Sequence, residues 1–145
     1  MADDTEDIDF DAMNRQVIAE FRENGGSAGG VFTGKPLVLV HQVGAKSGVE
    51  RITPLVPLLD DDRIYIFASK GGADTNPHWY GNLVANPDVT VELGTETFAA
   101  TVRVLAGTER DEVFAKQSAL EPQFADYQRK THRVIPVIEL VRRAS

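Results

Sequence analysis

Two short segments of the chain concentrate residues that can bind an anionic ligand. The first, GAKSGVER, runs from Gly44 to Arg51 and carries Lys46 and the Ser47 hydroxyl in a predicted turn. Cationic side chains and turn amides together hold phosphates and carboxylates in many proteins. The segment lacks the glycine spacing of a P-loop. A phosphate or carboxylate site is therefore one interpretation, and a hairpin turn with solvated charges is the other.

The second segment, ASKGGADTNPHWY, covers residues 68–80 and follows a predicted strand. Its Ser-Lys-Gly-Gly run allows the backbone to approach a ligand closely. Trp79 and Tyr80 can stack on a planar ring, although burial of both aromatic side chains in the core is an alternative. Together the two segments predict a planar, negatively charged ligand.

Other chemistries find no support in the sequence. His41, His78 and His132 lie in different elements without the spacing of a metal site, so no metal is predicted. Ser69 is followed by lysine and is not set in G-x-S-x-G, which argues against a serine hydrolase. The absence of cysteine excludes disulfides and thiolate nucleophiles.

The formal charge of −7 is concentrated at the N-terminus, because residues 1–11 carry six of the 22 acidic residues and no base. We predict that residues 1–11 form a solvated, disordered tail. The remaining chain is close to neutral, and no basic stripe with interleaved aromatic residues predicts a nucleic-acid partner. There is no signal peptide and no apolar run of about 20 residues, so a cytoplasmic location is expected.

Periodicity and turn residues predict the elements that position these segments. We expect helices over residues 8–23, 76–85, 109–119 and 122–130, the third capped by Thr108. We expect strands over residues 36–43, 52–59, 63–68, 89–93, 96–105 and 134–141. Pro54 and Pro57 mark the second strand as an edge or a bulge. The pattern predicts a mainly β (α+β) fold, a small antiparallel barrel of about six strands with helices packed outside.

The ordered motifs resemble those of the deazaflavin-dependent nitroreductase family, the actinobacterial enzymes that use coenzyme F420. The resemblance runs from about Asn14 to Val141 and rests on K-S-G-x-x-R at 46–51, A-S-K-G-G at 68–72 and N-P-x-W-Y-x-N at 76–82. It implies that residues 12–145 form one split β-barrel domain with the coenzyme in a groove of the barrel.

The resemblance also implies roles for individual residues. Those expected to grip the phosphate and anionic tail lie in or beside the first segment: Ala45, Lys46, Ser47 and Arg51. Those expected to supply backbone and apolar contacts under the ring follow directly: Ile52, Thr53, Pro54, Leu55 and Val56. The strand end beside the coenzyme comprises Phe67, Ala68, Ser69 and Lys70, and the helix that closes over it carries His78, Trp79, Tyr80, Gly81 and Asn82.

The chain departs from the family on the substrate side. The founding nitroreductase pattern is roughly Y-P-x-Y-x-x-Y, and here the segment reads EPQFADY, with Glu121 and Phe124 in place of the first two tyrosines and Tyr127 as the third. Phe124, expected beside the coenzyme ring, has no hydroxyl to donate to a nitro or carbonyl oxygen. We therefore expect weak activity on nitroimidazoles.

The predicted function is hydride transfer from reduced F420 to a small-molecule acceptor, namely a quinone, an enone or a nitro-aromatic. Tyr127 and Ser69 are the candidate proton donors, with solvent as the other source. The alternatives are an FMN-dependent oxidoreductase on the same barrel and a non-catalytic F420 carrier or sensor. A monomer or a homodimer is expected. Peripheral contact of the N-terminal helix with the inner face of the membrane stays open.

Overall fold

The computed structural model describes residues 10–143, and this part of the chain forms four α-helices and seven β-strands. The helices are α1 (Phe10–Glu23), α2 (His78–Ala85), α3 (Gly107–Leu120) and α4 (Gln123–Arg129). The strands are β1 (Val38–Val43), β2 (Glu50–Leu55), β3 (Leu58–Asp60), β4 (Arg63–Phe67), β5 (Asp88–Leu93), β6 (Glu96–Val104) and β7 (Val137–Arg142). Residues 1–9 of the predicted tail lie outside the described residues, and its last two residues begin α1.

One antiparallel sheet contains all seven strands, in the order β2-β1-β5-β6-β7-β4-β3. The predicted strand over residues 52–59 is therefore wrong as a single element. The chain breaks at Val56 and Pro57, and its two halves pair with β1 and with β4 at opposite edges of the sheet. Edge positions tolerate the two prolines, since an edge strand need not donate every N–H.

The short link between β2 and β3 forces the sheet to curl. In a flat sheet the edges of seven strands would lie about 29 Å apart. The path from Leu55 to Leu58 can span only about 11 Å. The sheet must therefore bend until its two edges approach each other, which produces the split barrel and confirms the predicted fold class.

Apolar side chains form three clusters around this sheet. The barrel interior contains Val40 together with Leu83 of α2. On the outer surface, Phe21 of α1 packs against Leu39, and Phe67 lies in the cluster covered by α3 and α4. Three helices thus pack outside the barrel, as predicted, and α2 closes part of its interior.

The start of α3 differs from the prediction. Ala106 is the N-cap, with an extended backbone at φ −142° and ψ 160°, and it makes no side-chain capping hydrogen bond. Thr108 lies inside the helix, so the predicted cap at Thr108 is wrong, although the helix itself is confirmed. Among residues 10–143, none of the helices is both long and apolar enough to cross a bilayer.

Candidate active site at one end of the barrel

Antiparallel register brings the two predicted segments to the same end of the barrel. β1 ends at the turn formed by residues 44–49, and its C-terminal half pairs with the start of β5, which follows α2. β4 ends at Phe67, opposite Val137 at the start of β7. The end of β6 and the start of β7 meet between these two points, where Val104 pairs with Ile138. We call this end of the barrel the rim.

Hydrogen bonds of the Asn82 side chain connect α2 to β1 and to the turn between β1 and β2. Its Oδ1 accepts a hydrogen bond from the Ala45 N–H at 2.9 Å, and its Nδ2 donates to Gln42 Oε1 at 2.8 Å. Gln42 Nε2 in turn donates to Thr53 Oγ1 at 2.5 Å. Gln42, 2% exposed, was not predicted, and its only signal was a polar residue in an apolar strand. The network brings together Ala45, Thr53 and Asn82, three predicted site residues.

The turn at residues 44–49 and the start of β2 present two cations to solvent. Lys46 and Arg51 are exposed, and neither forms an ion pair or hydrogen bond with the described residues. The Ser47 Oγ accepts a hydrogen bond from the Val49 N–H at 3.2 Å, which shapes the turn and leaves the hydroxyl proton free to donate. This arrangement can receive an anion.

The segment after β4 (residues 68–77), which we call the rim segment, has an unusual backbone. Lys70, Gly71 and Gly72 adopt positive φ in succession, at 48°, 64° and 85°. Lys70 Nζ donates to Thr75 Oγ1 at 3.2 Å, and Ser69 is half-buried. The segment therefore folds back sharply at the rim before α2 begins.

Arg133 forms four hydrogen bonds with the rim segment. Its Nε donates to the Ala73 carbonyl at 2.8 Å, its Nη1 to the Ala68 carbonyl at 3.1 Å, and its Nη2 to the Ser69 carbonyl at 2.8 Å. Nη1 also donates to Asn76 Oδ1 at 2.8 Å. Burial lowers the pKa of the Arg133 guanidinium, and nearby Asp74 acts in the opposite direction. Sequence reasoning missed this residue, since nothing local to it shows that its acceptors lie about sixty positions earlier.

The two aromatic residues of α2 were predicted either to stack on a ligand ring or to be buried in the core, and their environment has features of both. Trp79 and Tyr80 are half-buried and pack against the interior cluster. The Trp79 indole N–H and the Tyr80 hydroxyl form no hydrogen bond with residues 10–143, while His78 and Gly81 are exposed. Each ring is thus fixed by the core at one side and has an unused polar group.

The strand β2 offers its side chains to both faces of the sheet. Leu55 packs against the interior cluster, whereas Ile52 and Val56 pack with α1 on the outer surface, and Pro54 is buried. Because successive strand residues point to opposite faces, these side chains cannot all contact one ring. Any shared contact of residues 52–56 with a ligand would have to involve the backbone.

Phe124 and Tyr127 belong to α4 and pack on the outer surface of the barrel, next to β4 and α3. The Phe124 ring centroid lies 5.6 Å from that of Phe67, 6.4 Å from that of Phe114 and 5.3 Å from that of Tyr127. Ala68, the residue after Phe67, packs in the barrel interior instead. The pair therefore meets the rim segment from outside the barrel. The Tyr127 hydroxyl forms no hydrogen bond with the described residues.

The distribution of unpaired cations singles out the rim. Of the fifteen lysine and arginine side chains, nine form ion pairs within the described residues. Of the remaining six, Arg15 lies on α1, and the other five lie at the rim: Lys46, Arg51, Lys70, Lys130 and Arg133. Because paired charges are already neutralised, the rim is the part of the surface best able to bind an anion. A ligand with a phosphate and an anionic tail fits this donor set.

Two surface hollows open at the opposite end of the barrel. Both are lined by Glu96, and neither includes a predicted site residue. The rim is thus identified by its chemistry rather than by the size of a cavity.

Comparison with known proteins agrees with the motifs. The family model described as F420H(2)-dependent quinone reductase matches residues 13–141. An F420H(2)-dependent quinone reductase of Mycobacterium tuberculosis is 37% identical over 129 residues, which cover 86% of this chain and 87% of that protein.

Solved structures point the same way. An F420-H2 dependent reductase (FDR-A) is similar at 40% identity with a TM-score of 0.66, covering 72% of this chain and 93% of the other. A domain-swapped dimer is similar at 35% identity with a TM-score of 0.68, covering 90% and 98%. These findings confirm the resemblance to F420-using enzymes and give no support to the FMN alternative. The chain belongs to the F420H(2)-dependent quinone reductase family and is an F420-dependent oxidoreductase.

Proposed function

We propose that this chain reduces a quinone at the expense of reduced F420, and that residues 12–145 act as one domain with the coenzyme bound at the rim. The observation that carries the proposal is the group of four cations there that form no ion pair among the described residues and keep donors free, next to polar groups that also lack partners among those residues: Lys46, Arg51, Lys70 and Lys130. The acceptor is proposed from the names of the family and of its mycobacterial relatives. When bound, the reduced deazaflavin supplies a hydride.

The cations of the rim would hold the anionic part of the coenzyme. Lys46 is exposed within the 44–49 turn and Arg51 is exposed at the start of β2, and the Ser47 hydroxyl can donate beside Lys46. Lys70 adds a third charge from the rim segment. The Ala45 N–H, in contrast, is already bonded to Asn82, so Ala45 would contribute through shape rather than as a donor.

The helix α2 would orient the planar ring and exclude water from it. Trp79 and Tyr80 are held against the interior cluster, so their rings are pre-positioned before a ligand arrives. The hydrogen bonds of Asn82 keep α2 at a fixed distance from the turn. Preorganisation of this kind lowers the entropy cost of placing reactants against each other.

Two hydroxyl groups are proposed as proton donors to the reduced acceptor. Ser69 and Tyr127 are both half-buried, and neither hydroxyl forms a hydrogen bond with residues 10–143. A donor without a competing partner can turn toward a substrate oxygen. Solvent is the other source of the proton.

A homodimer is proposed for the assembly, because one similar solved structure is described as a domain-swapped dimer. Membrane contact and a cytoplasmic location stay predictions. The apolar residues Val17, Ile18 and Phe21 of α1 pack against the sheet, so the described part of that helix does not offer them to a bilayer.

The function can be tested by titrating the purified protein with F420 and, separately, with FMN, followed by fluorescence. We expect F420 to bind at least about tenfold more tightly, since a longer anionic tail meets more of the rim cations. The complex with reduced F420 is then mixed with a water-soluble quinone, an enone or a nitroimidazole. Oxidation by the quinone supports the proposal. Binding without oxidation by any acceptor would favour a carrier, and equal affinity for FMN would contradict the coenzyme assignment.

A further inference from the structure

We infer that Arg133 is a positioning residue of the coenzyme site, which shapes the rim segment without touching the coenzyme. The inference rests on the proposed coenzyme position at the rim. Its basis is the set of four hydrogen bonds that one guanidinium donates to residues 68, 69, 73 and 76.

Apart from Arg133, the rim segment is held at single points along its path. The Ala68 N–H donates to the Pro136 carbonyl at 3.0 Å, and Lys130 Nζ donates to the Gly71 carbonyl at 3.3 Å. Gly72 packs closely against the Tyr127 backbone. Between β4 and α2 its own backbone bonds run from Gly72 N–H to the Ser69 carbonyl at 2.9 Å and from Ala73 N–H to the Lys70 carbonyl at 3.2 Å. Those two bonds close single turns within the segment. Three successive positive φ angles also make this conformation costly to hold for Lys70, the one non-glycine residue among them.

Arg133 is the residue that anchors both ends of the segment through one side chain. It bonds the segment where it leaves β4, at the Ala68 and Ser69 carbonyls, and again where it approaches α2, at Ala73 and Asn76. Asn76 immediately precedes Pro77, the N-cap of α2. Displacing the guanidinium would therefore shift both ends of the segment, and with them Ser69, Lys70 and the start of the helix that carries Trp79.

Direct binding of the coenzyme tail by Arg133 is the competing role. A guanidinium has five N–H donors, and four of those of Arg133 already have protein acceptors. By contrast, Lys46 and Arg51 have no partner within the described residues. The geometry thus assigns Arg133 to the support of the site and leaves contact with the anion to the other cations.

The test compares Arg133→Lys and Arg133→Ala with Arg129→Ala. Arg129 is an exposed cation on α4 whose ion pair, with Asp126, lies within the same helix. Three quantities are measured for each variant: the F420 dissociation constant, the melting temperature, and acrylamide quenching of the coenzyme-free protein. Trp79 is the single tryptophan of the chain, so quenching reports on the helix that follows the rim segment.

We expect both Arg133 variants to bind F420 about tenfold or more weakly, because a lysine keeps the charge but cannot form the planar fork. We also expect stronger quenching of Trp79 in both, and no change in Arg129→Ala. Full affinity in Arg133→Lys would overturn the inference, since charge alone would then suffice. Weaker binding with unchanged quenching would overturn it too, because Arg133 would then contact the coenzyme directly.

A milder variant guards against loss of folding. Asn76→Ala removes one acceptor of Arg133 from an exposed side chain, and we expect a smaller loss of affinity together with a measurable rise in quenching. Unchanged values for both would count against the inference.

If F420 bound wild type and the Arg51→Ala variant equally well, the proposed coenzyme position would fail. Increased Trp79 quenching without any loss of F420 affinity would instead defeat only the role given to Arg133.

Discussion

Gly72 lies so close to the backbone of Tyr127 that no residue with a Cβ atom would fit in its place. A Cβ atom placed on Gly72 would lie 2.7 Å from the Tyr127 carbonyl oxygen and 2.9 Å from its Cα. Gly72 also has a φ of +85°, which L-residues rarely adopt. This contact joins the rim segment to α4, and with it the predicted coenzyme strand end to the candidate proton donor Tyr127.

Alanine at Gly72 should destabilise the protein more than alanine at Gly71. Both glycines have positive φ, but a Cβ on Gly71 would meet no atom within 4 Å. Gly71→Ala should therefore cost only the backbone strain, about 1 kcal/mol. Gly72→Ala should cost about 1–3 kcal/mol more, because α4 must move away. Denaturant unfolding of both variants measures the difference, and equal free energies of unfolding would show that the close approach is not maintained in solution.

Local signals in the sequence were enough to predict most of the elements. The Asn-Gly-Gly stop after α1, the hairpin at Gly94 and the glycine-rich run after β4 all act over a few residues, and each is confirmed by the structure. The two candidate segments were likewise recognised from residue types alone. Their convergence at one end of the barrel follows from antiparallel pairing once the strands are in place.

Long-range relationships could not be predicted in the same way. Whether residues 52–59 form one strand or two depends on the order of the whole sheet, because β5, β6 and β7 lie between the two hairpin partners of this segment, β1 and β4. The role of Arg133 depends on carbonyl groups about sixty residues earlier. Carbonyl groups are present at every residue, so the sequence carries no mark of which ones an arginine will bind.

Removal of the Arg51 charge should weaken coenzyme binding without affecting the fold. We expect Arg51→Ala to raise the F420 dissociation constant by the equivalent of about 1.5–3 kcal/mol, the usual value of a charge-assisted contact. The control is Arg15→Ala, which removes another exposed arginine, one on α1 that forms no ion pair with the described side chains. Its affinity should match wild type. If Arg51→Ala lowered the melting temperature strongly but retained affinity, Arg51 would be a structural residue.

Acid should weaken the protein partly through Glu92. Hydrogen bonds from Arg22 at 3.1 and 2.7 Å lower the pKa of the Glu92 carboxyl, burial opposes them, and a 2.6 Å bond to His41 adds to the lowering. A carboxyl with a lowered pKa stabilises the fold above its ordinary pKa of about 4.3. That stability is lost as the pH falls from there through the lower, folded-state value.

The contribution of Glu92 is measured by comparing melting temperatures of wild type and Glu92→Gln between pH 7 and pH 3. We expect the variant to melt lower at pH 7 and the gap to close progressively as the pH falls from about 4.3 through the lower pKa of the folded state, where the wild-type carboxyl is also neutralised. Glu23→Gln, an exposed change next to Arg22, should show no such gap. A gap that stayed constant down to pH 3 would mean that packing rather than charge explains the effect.

Phe124 should decide which acceptors the enzyme can use. Its ring sits between those of Phe67, Phe114 and Tyr127, so Phe124→Tyr retains the packing and adds one hydroxyl. If residue 124 lies beside the coenzyme ring, that hydroxyl can donate to the charge that develops on a nitro oxygen. One such donor in a dry site is worth about a hundredfold in rate. Quinones and enones, which delocalise the charge or place it in solvent, need it less.

We therefore expect wild type to reduce quinones or enones measurably and nitroimidazoles weakly, with Phe124→Tyr raising nitroimidazole turnover selectively. Steady-state kinetics with saturating reduced F420 and both acceptor types measure this. The control is Phe98→Tyr, since Phe98 lies on β6 beneath Arg142 and away from the rim, and its kinetics should be those of wild type. Strong nitroimidazole turnover by wild type that did not change in Phe124→Tyr would refute the role given to this position, because the missing hydroxyl would then limit nothing.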